Sequence, residues 1–281
     1  KRLPKPATSN STGREYVAPR NEIEATLASI WQAVLGVEQI SIHDNFFEIG
    51  GDAIKAIQIS SRLHKEGQRL VISDLFKNPT IAQLSSYVKA GTQAFDQGSV
   101  EGNVPLTPLQ RWLFTEHSAS LHHFNQANFL YRPEGFNVEH VHQVFTQIVH
   151  HHDALRMAYS FTPTNMAKQV NRGINETEAS FTIEVIDLLE ESNEEQVAVR
   201  IEQEATRIQS SMGLLHQGPL VKLGLFKTTE GDHLLIAIHH LVIDGVSWRI
   251  LLEDFTTGYE QAQNGEPIVF PAKTVSWQEW A

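Results

Sequence analysis

The run His239-His240-Leu241-Val242-Ile243-Asp244-Gly245 places two imidazoles at the end of an apolar stretch, with a carboxylate and a glycine just beyond. Histidine is the side chain whose proton moves near neutral pH, so it is the first candidate for acid/base work. Adjacent side chains on a strand point to opposite faces, so only one of the two histidines can enter a given cavity. Asp244 has two possible uses: orienting an imidazole, or holding the loop through a buried ion pair with a cation. Gly245 permits a backbone turn that other residues resist. A lone His-His pair reads as two packed strand-end residues; the added Asp-Gly at this spacing favours a functional site.

A second constellation is Asp44-Asn45-Phe46-Phe47-Glu48-Ile49-Gly50-Gly51-Asp52-Ala53-Ile54. Two glycines ahead of a helix start allow close approach by a partner, and a helix N-terminus favours an attached phosphate. Ala53, the first helical residue, offers no hydroxyl. By itself Gly50-Gly51 is an ordinary turn before a helix capped by Asp52. Phe46 and Phe47 are expected to be buried anchors. His150-His151-His152-Asp153 does not suggest a metal, because consecutive residues on a helix do not converge as zinc ligands must. Glu190, Glu191, Glu194 and Glu195 read as a solvated run at a helix start, and Trp112, Trp248, Trp277 and Trp280 as core or interface residues.

The elements that must position these residues fall into two groups. Residues 1–20 are polar, carry Pro4, Pro6 and Pro19, and read as a linker. From 21 to 90 the signals are helical. Asn21 and Glu24 form a capping-box pattern, and Ile23, Leu27, Ile30, Trp31 and Val34 share one face up to Gly36. A second helix runs from Ala53 to about Glu66 with Ile54, Ile57 and Leu63 inward. A short turn spans Ser73–Phe76, and Thr80 and Gln83 open a last helix carrying Ile81, Leu84 and Val88. This predicts a small all-α bundle of four helices. Residues 91–104 read as a tether. Over 105–281 strands at 124–131, 155–161, 181–187, 220–226 and 233–240 mix with helices at 110–116, 138–151, 195–212 and 247–263, which predicts an α/β layered domain.

The chain has 281 residues, enough for two domains with separate cores. Residues 1–90 carry a net charge of +2 and the remainder −13, so no basic stripe for nucleic acid is present. Cysteine is absent, which removes disulfide and thiolate chemistry and is compatible with a reducing cytosol. No apolar stretch approaches the roughly 20 residues of a membrane span, and no secretory signal opens the sequence. A cytoplasmic protein is the expectation.

The histidine run resembles the HHxxxDG motif of the condensation-domain superfamily of nonribosomal peptide synthetases, whose members share a fold with chloramphenicol acetyltransferase. Pro105-Leu106-Thr107-Pro108-Leu109-Gln110-Arg111-Trp112-Leu113-Phe114 resembles the opening motif of that family, and His152-Asp153-Ala154-Leu155-Arg156 its third. The spacing agrees, and the likeness covers essentially 103–281. His122-His123-Phe124-Asn125-Gln126 and Val246-Ser247-Trp248-Arg249 look like the epimerization branch. The resemblance assigns His240 an acid/base role at the substrate Cα and Asp244 a structural one, with His239 and Gly245 completing the motif. It implies a glutamate partner from the second half of such a domain. Because Trp280-Ala281 falls about midway, an incomplete active site is expected.

The bundle at 22–90 resembles a peptidyl carrier domain of the acyl-carrier type. The resemblance places a serine bearing 4′-phosphopantetheine at Ala53, flanked by Gly51 and Asp52. Either that serine has been replaced to give a uniform unmodified protein, or the domain is degenerate; the on-pattern flanks favour replacement. Asp52 resembles carriers that precede epimerization domains, and Leu3-Pro4-Lys5-Pro6 the trailing edge of an adenylation domain. The implied machine belongs to antibiotic biosynthesis. A carrier presents an aminoacyl or peptidyl thioester and the α/β domain inverts its Cα without metal. Its implied partners are an upstream adenylation domain, a downstream condensation domain and a phosphopantetheinyl transferase. Two rivals stand beside it: condensation, with His240 beside the attacking amine, and a non-catalytic docking module.

Overall fold

The computed structural model describes residues 16–91, 95–116, 121, 124–162, 166–191, 193–213 and 219–281. The readings of Leu3–Pro6 and of His122 and His123 lie outside the described residues. The chain divides into two compact units, Lys1–Ala94 and Phe95–Ala281.

In the first unit, α1 (Glu22–Leu35) starts at Asn21, whose Oδ1 accepts from the Glu24 N–H at 2.9 Å, and ends at Gly36 in the left-handed region, φ 70°. The capping box is not closed in the expected way. The buried Glu24 carboxylate turns to Arg20, accepting from its backbone N–H at 2.8 Å and from its guanidinium at 2.6 Å. Helix α2 (Ala53–Lys65) buries Ala56, Ile59 and Leu63. Ile54, expected to face inward, is 42% exposed; it precedes Leu63 by two and a half helical turns and so falls on the opposite side. Phe46 is buried, whereas Phe47, expected to be buried too, is 38% exposed. Helices α3 (Ile72–Lys77) and α4 (Ile81–Leu84, capped by Thr80) complete the helical set among the described residues. An antiparallel pair, β1 (Gln68–Arg69) with β2 (Lys89–Ala90), adds a feature that the all-α reading lacks.

The second unit begins earlier than the sequence suggests. Strand β3 (Gly102–Val104) lies in the stretch read as a tether, yet it pairs with β6 (Ala167–Asn171). The Arg156 guanidinium also donates to the Val100 carbonyl at 3.1 Å. Backbone pairing of this kind leaves no mark on composition, and β6 was missed for the same reason. Strand β5 (Met157–Phe161) completes this three-stranded sheet, after a 3-10 turn at Asp153–Arg156 that occupies the expected first residues of the strand. Helix α5 is Pro108–Glu116.

The larger sheet joins β4 (Asn125–Arg132), β9 (Gly231–His239), β8 (Val221–Thr228) and β7 (Phe181–Asp187) in the order β4-β9-β8-β7, antiparallel except for β7 with β8. Helices α6 (Val138–His151) and α8 (Gly245–Gln263) contribute Val144, Ile148 and Phe255 to the core on one face, with Leu234, Ile236 and Ile238 of β9. On the other face Leu235 and Ala237 pack with Ile208 of α7 (Glu194–Ser210). Both faces of β9 are covered, which is why 234–238 reads as an unbroken apolar run rather than an alternating one. A last short helix, α9 (Trp277–Trp280), follows. No described helix is long and apolar enough to cross a membrane.

Candidate functional site

Strand β9 delivers the histidine pair. Asn125 is opposite His239 in the β4–β9 ladder, and the His240 N–H donates to the Phe124 carbonyl at 2.8 Å, so the end of the strand is pinned as it leaves the sheet. His239 is fully buried. Its Nε2 lies 2.7 Å from the Leu121 carbonyl oxygen, and its Nδ1 accepts from the Leu241 N–H at 3.1 Å. A carbonyl can only accept and an amide N–H only donate, so this ring is the Nε2–H tautomer. Burial pushes its pKa down to about 4, against the opposing effect of the Leu121 carbonyl. His239 is therefore neutral at pH 7.

His240 has the opposite tautomer. Its Nδ1 is 2.7 Å from the Ile243 carbonyl oxygen and must carry a proton. In the neutral ring the lone pair is then on Nε2. The Phe124 ring stacks on the imidazole at 5.1 Å with 24° between planes. His240 lines a cavity of about 270 Å³, with Leu109, Trp112 and Leu113 of α5, Phe124, Ile243 and Ser247; His239 does not line it. Trp112 is 51% exposed, at odds with a simple core role.

Asp244 does neither of the things weighed for it. It is exposed, and no hydrogen bond or ion pair joins it to an imidazole or a cation among the described residues. Instead it caps α8, Oδ1 accepting from the Val246 N–H at 3.0 Å, the Ser247 N–H at 2.8 Å and the Ser247 hydroxyl at 2.7 Å. Desolvation raises its pKa, but these bonds and the neighbouring His240 outweigh that and hold the carboxyl below the usual range. Gly245 is not in the left-handed region; it is the first residue of α8, and a Cβ there would meet nothing within 4 Å. The special turn expected at Gly245 is not made.

Gln126, noted as a branch marker, and Trp248, read as a branch marker and as a core or interface residue, join the site physically. The Trp248 indole N–H donates to Gln126 Oε1 at 2.8 Å, and Gln126 Nε2 lies 3.3 Å from His240 Nε2. The available signal was Gln126 itself, a polar residue opposite Ile238 in the register and so on the core-facing side of the sheet with His240. The residues of the third motif tie neighbouring elements together. His152 Nε2 is 2.7 Å from Asp254 Oδ2 on α8. The buried Arg156 donates to the carbonyls of Val149, His150, Arg172 and Val100.

In the first unit, Gly50 has φ 95° and its carbonyl accepts from Lys55 Nζ at 2.6 Å. A Cβ on Gly51 would lie 2.5 Å from the Phe46 ring and from its carbonyl oxygen. Asp52 caps α2 through the Lys55 N–H at 2.8 Å, and Ala53 is exposed at the helix start. The cradle suits a phosphate approaching a helix N-terminus. Ala53 ends in a methyl group and offers no hydroxyl to a phosphate.

Residues 100–281 match the family model described as Condensation domain, and residues 25–88 that described as Phosphopantetheine attachment site. Gramicidin S synthase 1 of Brevibacillus brevis is 49% identical over 281 residues, 100% of this chain and 25% of that synthase. Tyrocidine synthase 2 of Brevibacillus parabrevis is 48% identical over 281 residues, 100% of this chain and 8% of that synthase. The chain thus spans a quarter or less of the length of these relatives. Among solved structures, the epimerization domain from the third module of tyrocidine synthetase B superposes with a TM-score of 0.61 at 49% identity, over 66% of this chain and 41% of that one. The first condensation domain of the calcium-dependent antibiotic synthetase, at 17% identity and TM-score 0.52 over 60% of this chain and 40% of that one, shares the fold.

Proposed function

Starting from the fact that this chain belongs to the condensation-domain family, with a phosphopantetheine attachment domain ahead of it, we propose that its second unit is part of an epimerase acting on a carrier-bound aminoacyl or peptidyl thioester. The observation that carries this reading is the placing of the His240 ring: Nδ1 is committed to the Ile243 carbonyl, so that in the neutral ring Nε2 bears the lone pair, and the ring lines a cavity. The thioester acidifies the Cα–H bond. His240 Nε2 takes that proton, and the C–H electron pair moves into an enolate whose charge settles on the carbonyl oxygen. An acid returning a proton to the other face completes the inversion. His239 keeps the strand end rigid, Asp244 starts α8, and Gly245 leaves open space beside them. The likeness to a 49% identical epimerization domain supports the assignment over condensation.

On this reading position 53 is the attachment point, an adenylation domain supplies the thioester, a transferase installs the arm, and a condensation domain takes the product. Peptide-bond formation is the rival reading, favoured by the family match over 100–281. The test uses Ala53→Ser in a chain carrying the whole condensation-type domain, loaded with an aminoacyl phosphopantetheine and incubated in deuterated water. We expect Cα deuterium and a mixture of D and L product, both lost in His240→Ala. Retained L configuration without deuterium would reject epimerization, and peptide-bond formation with an upstream donor would then establish condensation.

A further inference from the structure

We propose that Trp248 and Gln126 act as a positioning pair that holds His240 in its proton-accepting state. This inference rests on the reading of His240 as the base, and it deepens that reading by naming what poises it.

An indole N–H can only donate. The 2.8 Å bond from Trp248 Nε1 therefore fixes the Gln126 amide with its oxygen towards the indole and its nitrogen towards His240. That nitrogen has hydrogens and no available lone pair, so its 3.3 Å contact is a hydrogen bond only while His240 Nε2 bears a lone pair. The other ring nitrogen is already committed as a donor to the Ile243 carbonyl. The neutral Nδ1–H ring is satisfied at both ends. The imidazolium sets one N–H against another.

Gln126 cannot relieve that conflict by turning its oxygen towards His240 without abandoning Trp248. The Trp248 side chain is nearly buried, 7% exposed, so its N–H has little access to a replacement acceptor in water. The three residues come from separate elements. Gln126 is on β4, His240 follows β9, and Trp248 is in the first turn of α8, whose start is fixed by the Asp244 cap. Two titratable groups interact electrostatically with His240: Asp244 at the head of α8 and His239 on β9. Neither is hydrogen-bonded to its ring.

The consequence for a proton transfer is directional. When Nε2 gains a proton, an N–H bond forms, the former C–H pair stays on the substrate, and the Gln126 contact is lost. Giving the proton up restores it. The pair thus favours release of the proton and return of the base.

The test is spectroscopic and runs on this chain without turnover. Ring ¹⁵N–¹H correlation spectra of uniformly labelled protein are followed against pH for the unsubstituted protein, Gln126→Glu and Trp248→Phe. At neutral pH His240 should show the Nδ1–H form and His239 the Nε2–H form, and the His239 signal reports whether the strand end is still folded. Gln126→Glu replaces the donor with an acceptor. It should keep the His240 ring doubly protonated to a pH at least about one unit higher, a tenfold change in the equilibrium. Trp248→Phe frees the amide to rotate and should move the ring in the same direction by less. If both variants keep the His239 signature and His240 protonates where it did before, the pair only packs and the inference is overturned. The same holds if Trp248→Phe shifts it the other way. A complete domain that takes up no Cα deuterium would remove the epimerization reading and leave this result intact.

Discussion

His239 Nε2 and the Leu121 carbonyl oxygen lie 2.7 Å apart in a site closed to water, and the Leu241 N–H takes the other ring nitrogen. The ring has no place for a second proton. Its folded pKa of about 4 lies below the ordinary value, so the unfolded chain takes up the proton first. The contribution of His239 to stability is full above about pH 6.5 and is lost as pH falls towards 4, by up to about 1.4 kcal/mol per pH unit. His150 and His151 are also pushed down by burial, so the second unit should show a composite acid loss. His239→Gln, which can still donate to Leu121, should remove the His239 share. Urea unfolding at pH 7 and pH 5 checks this; equal acid losses in the two proteins would mean that the ring is not held neutral.

Gly51 and Gly245 should respond to alanine with opposite signs. At Gly51 the new Cβ would press on the ring and carbonyl oxygen of Phe46, which is fully buried and cannot yield. We expect Gly51→Ala to destabilise the first unit by about 1–3 kcal/mol. At Gly245 the backbone is helical and the space open, so Gly245→Ala should stabilise the second unit by about 0.5–1 kcal/mol. Denaturant midpoints of the two units measure both effects. A loss at Gly245 would show that the glycine serves the backbone after all.

These two glycines also show how far the sequence could be read. Gly50-Gly51 ahead of a helix cap is a local pattern, and the reasons for it are local: a positive φ at one position and a close approach at the next. Helix α1 was legible in the same way, because an amphipathic face and a capping residue sit within one segment, whereas the cap that Asp244 gives α8 was not read. From the residues themselves the choice between His239 and His240 was legible only as a rule of alternation, and it was the resemblance that singled out His240. Which ring opens to a cavity depends on Leu121 and Ile243, neighbours that declare no polarity because they act through backbone carbonyls. Strand β3 was lost because its pairing with β6 joins segments 65 to 69 residues apart through backbone bonds that composition does not mark. The Gln126–Trp248 contact spans 122 positions and emerges only once the β4–β9 register is fixed.

Asp244 offers a test of its structural role. Its side chain satisfies two orphan N–H groups of α8, so Asp244→Ala should cost about 1 kcal/mol, whereas Asp244→Asn should retain most of the cap. The carboxyl is held below its ordinary range. Its charge-dependent share is therefore present above the unfolded pKa and lost as pH falls through the lower folded value. The Asp-to-Asn difference should accordingly shrink in acid, a trend that thermal unfolding between pH 7 and pH 3 would show. A pH-independent difference would place the role of Asp244 elsewhere.

Arg156 is the third-motif residue whose replacement should be felt furthest. Its guanidinium reaches four carbonyls, two of them Val149 and His150 at the C-terminal end of α6, where the helix dipole welcomes a cation. Lysine keeps the charge but has a single nitrogen on a flexible stem and cannot span that fork. We expect Arg156→Lys to destabilise the second unit by about 2–4 kcal/mol, because several buried carbonyls lose a charged donor at once. The contact to Val100 ties the segment ahead of β3 to the turn before β5. Hydrogen exchange in the substituted protein should therefore rise first at 102–104 and 169–171, the residues of the β3–β6 pair. Unchanged exchange there, with the same loss of global stability, would locate the effect in α6 alone.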